Sequence, residues 1–368
     1  MSQMSDLLYS DTEEALRDSV RRLFADRCQP EAVTSVYDPA PHDFSGLWHT
    51  LAAELGMAGL LIPEGLGGAG ATAREAAVVM EEIGRAVAPV PYLSSAVLAT
   101  VALLQVGDRD VVPQLAAGSR TAALAVPMST APGDTVTGLK AGGNGVTGRI
   151  TSVAGVLEAD VLVVPVAGPD GLELHTVARD DAGVKVSPVL SLDMTRPLAN
   201  LDFSGAASSR VGAAPADAAI AAALQTGAAL LASEQLGIAQ WCFETTLAYT
   251  KERKQFGRAI GSYQAIKHRL ADLWVELNSV GAAARYAADT CARNDADVAI
   301  ATAVAQAYCS GAAVHAAEEC VQLHGGLGMT WEYPAHLYLK RAKSDQLAFG
   351  TAYRHRAQLA TLVDLPAS

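Results

Sequence analysis

The sequence is short of the residues that cross-link, metallate or coat a protein. Its five cysteines, Cys28, Cys242, Cys291, Cys309 and Cys320, are odd in number and form no CxxC pair, which argues against a secreted-type disulfide framework. Four of them lie in alanine-rich stretches with helical periodicity, where a thiol acts as a small buried hydrophobe. The eight histidines are scattered, and the stretch carrying His315, Glu318, Glu319 and His324 lacks a recognised metal spacing. Basic residues are too few to form a nucleic-acid surface: the formal net charge is -12, and non-specific binding needs a broad cationic face. A long uninterrupted apolar run is also missing. The nearest, Val211 to Ala232, is broken by Pro215, Asp217 and Gln225, so no membrane span is expected. Met1 to Ser10 has no basic region followed by an apolar run, and a cytoplasmic location is expected.

What is present is 368 residues of ordinary globular composition, 50% hydrophobic, enough for two or three domains with substantial cores. Ser10-Asp11-Thr12-Glu13 reads as a capping box before an amphipathic helix with Leu16, Val20, Leu23 and Phe24 on one face. Further helices are predicted over 44–55 and 71–87. Gly65-Leu66-Gly67-Gly68-Ala69-Gly70 matches GxGxxG, yet Pro63 closes the run before it and no strand-helix-strand pattern follows, so a dinucleotide fingerprint is not expected. Near residue 121 the pattern shifts to short β-branched runs, Ala123 to Pro127, Val161 to Val166 and Leu172 to Val177. Turn signals at Gly143-Asn144-Gly145 and Gly168-Pro169-Asp170-Gly171 separate them. Asp193, Thr195 and Arg196 read as a turn held by a local Asp bond, with ligand binding the lesser alternative. From Pro215 on, four long helices are predicted: to about Thr250, from about Ser262, from about Asp295 to Leu323, and from about Pro334 to Val363.

Between the first two of those helices lies Tyr-Thr-Lys-Glu-Arg-Lys-Gln-Phe-Gly-Arg-Ala-Ile-Gly-Ser-Tyr-Gln, Tyr249 to Gln264. Lys251, Arg253, Lys254 and Arg258 reverse the sign of the chain locally. Two readings stay open on spacing alone. The cations complement a helix C-terminus that Gly257 ends, or Arg253 clamps a pyrophosphate and Phe256 walls a purine.

The string Glu252-Arg253-Lys254-Gln255-Phe256-Gly257, with Ile260-Gly261 and Gln264 after it, closely resembles the acyl-CoA dehydrogenase family. Leu55-Gly56-Met57-Ala58-Gly59-Leu60-Leu61-Ile62-Pro63-Glu64 with its following glycines, and Val321-Gln322-Leu323-His324-Gly325-Gly326-Leu327-Gly328, resemble it too. The resemblance covers nearly the whole chain. It implies an α+β multidomain fold: an N-terminal helical domain (1–120), a central antiparallel, barrel-like β-domain (121–210) and a C-terminal four-helix bundle (211–368). It also implies FAD as cofactor, an acyl-CoA substrate and an electron-transfer flavoprotein as acceptor. Residue by residue, it assigns FAD contacts to Arg253, Gln255, Phe256, Gln264, Gln322, Gly325, Gly326 and Thr351. Most of these serve the adenosine and pyrophosphate end, typically of a neighbouring subunit's FAD.

The same resemblance exposes a deficit. Where the family's usual catalytic glutamate precedes a Gly-Thr pair, Ala348-Phe349-Gly350-Thr351 carries Phe349. The other position some members use for the base corresponds to Gly227 and Ala228. The flavin-side segments, Val126 to Asp134 and Arg149-Ile150-Thr151-Ser152-Val153, depart from the family pattern and lack its Trp. No catalytic residue is therefore assigned, Glu234 being the low-ranked alternative as a relocated base and Glu244 lower still. The chain resembles the base-lacking subunit of heteromeric bacterial acyl-CoA dehydrogenases of the steroid side-chain type. That implies a catalytic partner subunit in a heterodimer or heterotetramer. The alternatives are an active homomeric flavoenzyme and a non-enzymatic protein that kept the fold.

Overall fold

The computed structural model describes residues 7–143, 145–212 and 215–365. Helix α1 (Asp11–Arg27) starts at the expected capping box, with the Glu13 amide donating to Ser10 Oγ at 3.2 Å and the Ser10 amide to Glu13 Oε2 at 2.6 Å. Short helices α2 (Pro30–Thr34) and α3 (Ser45–His49) follow, and α3 runs into a π-helical turn, Thr50–Glu54, over the segment read as one helix. Helix α4 (Ala73–Ala86) opens on a second capping box, Thr72 with Glu75, and is buried along most of its length. Helices α5 (Thr100–Val106) and α6 (Val112–Ala116) complete the N-terminal part. The glycine run before α4 is a tight loop, not a strand-to-helix turn. The Gly70 amide donates to Ile62 O at 2.8 Å, and a β-carbon on Gly68 would sit 2.0 Å from that same oxygen.

Strands β1 (Ala122–Leu124), β2 (Leu139–Gly142), β3 (Gly145–Ala154), β4 (Val161–Gly168), β5 (Gly171–Ala178), β6 (Val184–Val189), β7 (Leu198–Ala206) and β8 (Ser209–Val211) form one sheet. Their order is β6-β7-β3-β2-β4-β5-β8, with β1 on β4. The turn expected at Gly143-Asn144-Gly145 joins β2 to β3, although Asn144 lies outside the described residues. The sheet is mixed rather than antiparallel, because β1 and β2 both run parallel to β4 along one of its edges. The physical reason is visible in β4. Val161 and Val163 face the core shared with the helices, while Leu162, Val164 and Val166 face the sheet's own core. A strand buried on both faces is the central, crossover-connected kind.

The C-terminal part is built on α7 (Ala216–Glu252), α8 (Gln264–Ala292), α9 (Val298–His324), α10 (Ala335–Leu347) and α11 (Ala352–Leu362). The fourth helix is thus two helices. Phe349 at φ 53° and Gly350 at φ 94° turn left-handed in succession and stop α10, and Thr351 begins α11. Helices α7 and α9 have the length and composition to cross a membrane, but 67% and 61% of their most apolar windows are buried inside the protein. Helix α7 crosses α4 at glycines: a β-carbon on Gly237 would sit 1.9 Å from Glu81 O, and one on Gly84 would sit 2.0 Å from Glu234 O.

Gly237→Ala therefore forces the two helix backbones apart. It should lower unfolding free energy by about 1–3 kcal/mol, as overpacking does. An unchanged urea midpoint would show that the crossing has slack.

Candidate functional site

The basic stretch is a hairpin standing on the end of α7. The Arg253 amide donates to Tyr249 O at 2.8 Å, and the chain then leaves the helix extended at Arg253 (ψ 124°). Lys254–Gln255 (β9) and Arg258–Ala259 (β10) pair antiparallel around a two-residue turn. Both turn residues, Phe256 (φ 51°) and Gly257 (φ 77°), are left-handed, the requirement of a type I′ hairpin. A phenylalanine there is strained, by roughly 1–3 kcal/mol, and its ring is 91% exposed. The Arg258 guanidinium lies 3.8 Å from the centroid of the Tyr263 ring, and Tyr263 OH donates to Gln255 O at 3.3 Å, bracing the hairpin against α8. Among the described residues, no carboxylate forms an ion pair with Lys251, Arg253, Lys254 or Arg258.

The hairpin faces the end of α9. Gly325 caps that helix at φ 61°, and open space surrounds the positions where β-carbons would stand on Gly325 and Gly326. A groove of about 820 Å³ brings Arg253, Gln255, Phe256, Gln322, Gly325 and Gly326 together. Gln264 begins α8 and is exposed beside Tyr263 and Ala265, which line the groove, without lining it itself. Thr351 lies elsewhere, at the α10–α11 break. Sequence reasoning missed the groove's floor. The His324 ring stacks on Tyr249 with centroids 4.3 Å apart, its Nδ1 bonds Cys320 O at 2.7 Å, and its Nε2 bonds Tyr333 OH at 2.7 Å. With Nδ1–H donating to the carbonyl, Nε2 accepts from Tyr333. Tyr249 and His324 flank the motifs in sequence, but only the fold sets the end of α7 against the end of α9.

The places where the family's base could stand are filled by packing. Phe349 is fully buried, and a β-carbon on Gly227 would meet Leu98 Cδ2 at 2.5 Å and Phe349 Cζ at 3.0 Å. The two base positions thus pack against each other. The flavin-side segments close on this point. Phe349 N donates to Met128 O at 2.9 Å, Met128 N donates to Ser152 O at 2.9 Å, and a β-carbon on Gly350 would lie 2.9 Å from Ala131 Cβ. Arg354 forms an ion pair with Asp134. The void bounded by Leu98, Met128, Gly155 and Arg196 is only about 20 Å³. Pockets that hold organic ligands run roughly 300–1,000 Å³. Arg253, which has no carboxylate partner among the described residues, and the bare glycine backbone of the hairpin groove fit a dinucleotide's phosphates and sugar. Beside Met128 the chain's flavin-side segments leave little room.

Glu234 is fully enclosed and both its oxygens are engaged, Oε1 by Arg341 Nη1 and Oε2 by Arg196 Nη2, each at 2.5 Å. Arg341 is 1% exposed, and its Nε reaches Asp193 Oδ2 at 2.8 Å while its Nη2 reaches Thr195 Oγ1 at 2.7 Å. Arg196 Nη1 bonds Asp345 Oδ1 at 2.6 Å. The Asp193 turn also has its local bond, Thr195 N to Asp193 Oδ1 at 2.9 Å. Three carboxylates thus face two guanidiniums. Burial and then the neighbouring Glu234 charge push Asp345 up to about 8, against the pull of Arg196 and Arg341. A proton on Asp345 balances the cluster.

Residues 10–118 match the model for the acyl-CoA dehydrogenase N-terminal domain, and residues 217–363 match that for the acyl-CoA dehydrogenase C-terminal domain. The chain belongs to the acyl-CoA dehydrogenase family, oxidoreductases that act on CH–CH groups, and the cofactor of its site is FAD. It is 34% identical to acyl-CoA dehydrogenase IpdE2 of Mycolicibacterium smegmatis over 341 residues, 93% of this chain and 95% of that protein. Among solved structures it is similar to the ChsE4-ChsE5 complex from Mycobacterium tuberculosis, with TM-score 0.86, 26% identity, and coverage of 99% of this chain and 100% of that one. It is also similar to a variant of the Tcur3481-Tcur3483 steroid ACAD, with TM-score 0.83, 29% identity, and coverage of 96% and 98%.

Glu234→Ala removes a buried carboxylate from both Arg341, which keeps Asp193, and Arg196, which keeps Asp345, and should lower stability by about 3–5 kcal/mol, the usual loss on breaking a buried ion pair. Asp345 gives a pH signature. Its folded pKa stands above the ordinary carboxylate value, so the folded state holds the extra proton across that window. Stability falls as pH rises from the acid range towards about 8. Asp345→Asn, neutral throughout, should flatten that fall in melting temperature. An identical slope in the variant would show that another group titrates.

Proposed function

We propose that this chain is the non-catalytic half of a heteromeric, flavin-dependent acyl-CoA dehydrogenase. It lends Arg253, Gln255, Phe256, Gln322 and Gly326 in trans to FAD held by a catalytic partner subunit. The observation that carries this reading is the contrast between two places on one chain. The hairpin keeps cations without carboxylate partners among the described residues, and an exposed strained phenylalanine. The chain's own base positions, Phe349 and Gly227, pack against each other where a substrate would have to enter. Support also comes from exposed large apolar side chains in the C-terminal part: Phe256, Met329, Leu347 and Tyr353. Such a surface marks a protein interface. The names of the ChsE4-ChsE5 and Tcur3481-Tcur3483 assemblies pair two chains each, and the second is called a steroid ACAD. A CoA thioester of a steroid side chain is accordingly the proposed substrate class, with α,β-dehydrogenation as the reaction and an electron-transfer flavoprotein as acceptor, in the cytoplasm.

In this reading FAD supplies the hydride acceptor. Arg253 holds the pyrophosphate through charge-assisted bonds, Phe256 covers the adenine, and Gly325 and Gly326 admit the adenosine to the backbone. Glu234 serves no proton transfer. A base needs a lone pair within reach of its substrate, and both carboxylate oxygens are held by arginine.

The chain purified alone should be colourless, and co-expressed with its catalytic partner it should yield a single FAD per heterodimer. Stoichiometric flavin in the lone chain would overturn the proposal. In the complex, Arg253→Ala should weaken FAD retention by about 1.5–3 kcal/mol, the range for a hydrogen bond to a charged group.

Phe349→Glu tests the closed half. The new carboxylate enters an apolar contact without a partner, so the lone variant should lose stability and show no dehydrogenase turnover. Turnover by that variant would mean that the site opens to substrate.

A further inference from the structure

A second cleft, away from the hairpin groove, lies between α1, α4, α7 and α8 and has a volume of about 590 Å³. That size falls within the roughly 300–1,000 Å³ typical of small-molecule pockets. One wall is apolar, with Leu236, Phe243 and Leu277, and leads to Trp274, which is 56% exposed at the rim. The other wall is made of guanidiniums. Arg17 and Arg285 stand over the same Tyr9 ring, 5.4 Å and 4.3 Å from its centroid.

The charged groups here have unequal hydrogen-bonding capacity left over. Glu81 accepts from Tyr9 OH, Glu244 is held by Arg85, and Glu82 is held by Arg21. Each of these carboxylates is already engaged. Arg17 Nε and Arg285 Nε are buried and have no hydrogen-bond partner among the described residues. A buried N–H without an acceptor is unfavourable. Arg17 is paired through Nη2 with Glu14, whereas Arg285 forms no ion pair among the described residues, so it is the guanidinium here left to meet a carboxylate.

We propose that this cleft binds a small amphipathic carboxylate, its anionic end received by the guanidinium of Arg285, with that of Arg17 beside it, and its apolar body lying along Leu236, Phe243 and Leu277 towards Trp274. The site is separate from the hairpin groove and from the closed base positions, and the inference does not depend on the proposed division of labour between subunits.

Decanoate below its micelle concentration, titrated calorimetrically into the full chain, should bind saturably at one site. Decyltrimethylammonium, with the same tail and opposite charge, should not compete. Arg285→Gln should weaken decanoate about tenfold or more, as loss of a charged hydrogen bond does. Trp274→Ala, at an exposed rim position that leaves packing intact, should weaken it severalfold, which keeps the test decisive if the arginine variant folds poorly. Non-saturating binding, equal competition by the cationic amphiphile, or affinity unchanged in both variants would each overturn the proposal.

Discussion

A guanidinium enclosed as completely as that of Arg341 persists only where carboxylates face it, and much of this protein's geometry follows from meeting that demand. Asp193 comes from the loop between β6 and β7, Glu234 from the middle of α7, and Arg341 itself from α10. Arg196 extends the cluster to Asp345 and ties the entrance of β7 to the same helices. Isolated, each of these charges would be strongly disfavoured in the interior. Together they lock the sheet to the bundle. Because Asp345 lies near the end of α10, the cluster also sets where that helix stops. The left-handed pair Phe349 and Gly350 begins four residues further on, and their backbone is received by the loop after β1.

That placement also sets the surroundings of Phe349. The ring of Phe349 is held against Gly227, and the absence of a side chain on Gly227 is what gives the ring its room. Two positions that the family uses alternatively for a base have become one apolar contact. The flavin-side loop closes over it, with Met128 bonded on one side to Phe349 and on the other to Ser152. The far end of α7 developed otherwise. There a type I′ turn holds a phenylalanine in a conformation that glycine or asparagine would accept with less strain, and four cations lack carboxylate partners among the described residues. A surface that tolerates strain and unpaired charge is one whose balance is completed by something it meets.

Local signals in the chain were readable where physics acts over a few residues. The Ser10 capping box, the strand at Val161 to Val166, the glycine loop before α4 and the Asp193 turn all follow from neighbours in sequence. The mixed sheet did not follow. Whether β1 and β2 lie parallel to β4 depends on which edge the chain returns to, and strand periodicity is the same in both cases. The break in the last helix was equally hidden. Phe349 is compatible with a helix, and its left-handed backbone is stabilised by the Met128 carbonyl, more than two hundred residues away in sequence.

By itself, then, the sequence determined the family, the basic stretch between two helices, and the phenylalanine that precedes Gly350-Thr351, because each is a matter of residue identity or short-range backbone preference. Only the tertiary structure decided that Phe349 and Gly227 fill one another's space, that Glu234 is spent on arginine, and that Tyr249 and His324, the latter bonded to Tyr333, line the groove. These outcomes arise from side chains far apart in sequence competing for one volume and one set of hydrogen bonds. Neither the volume nor the bonds exist until the helices and the sheet have packed.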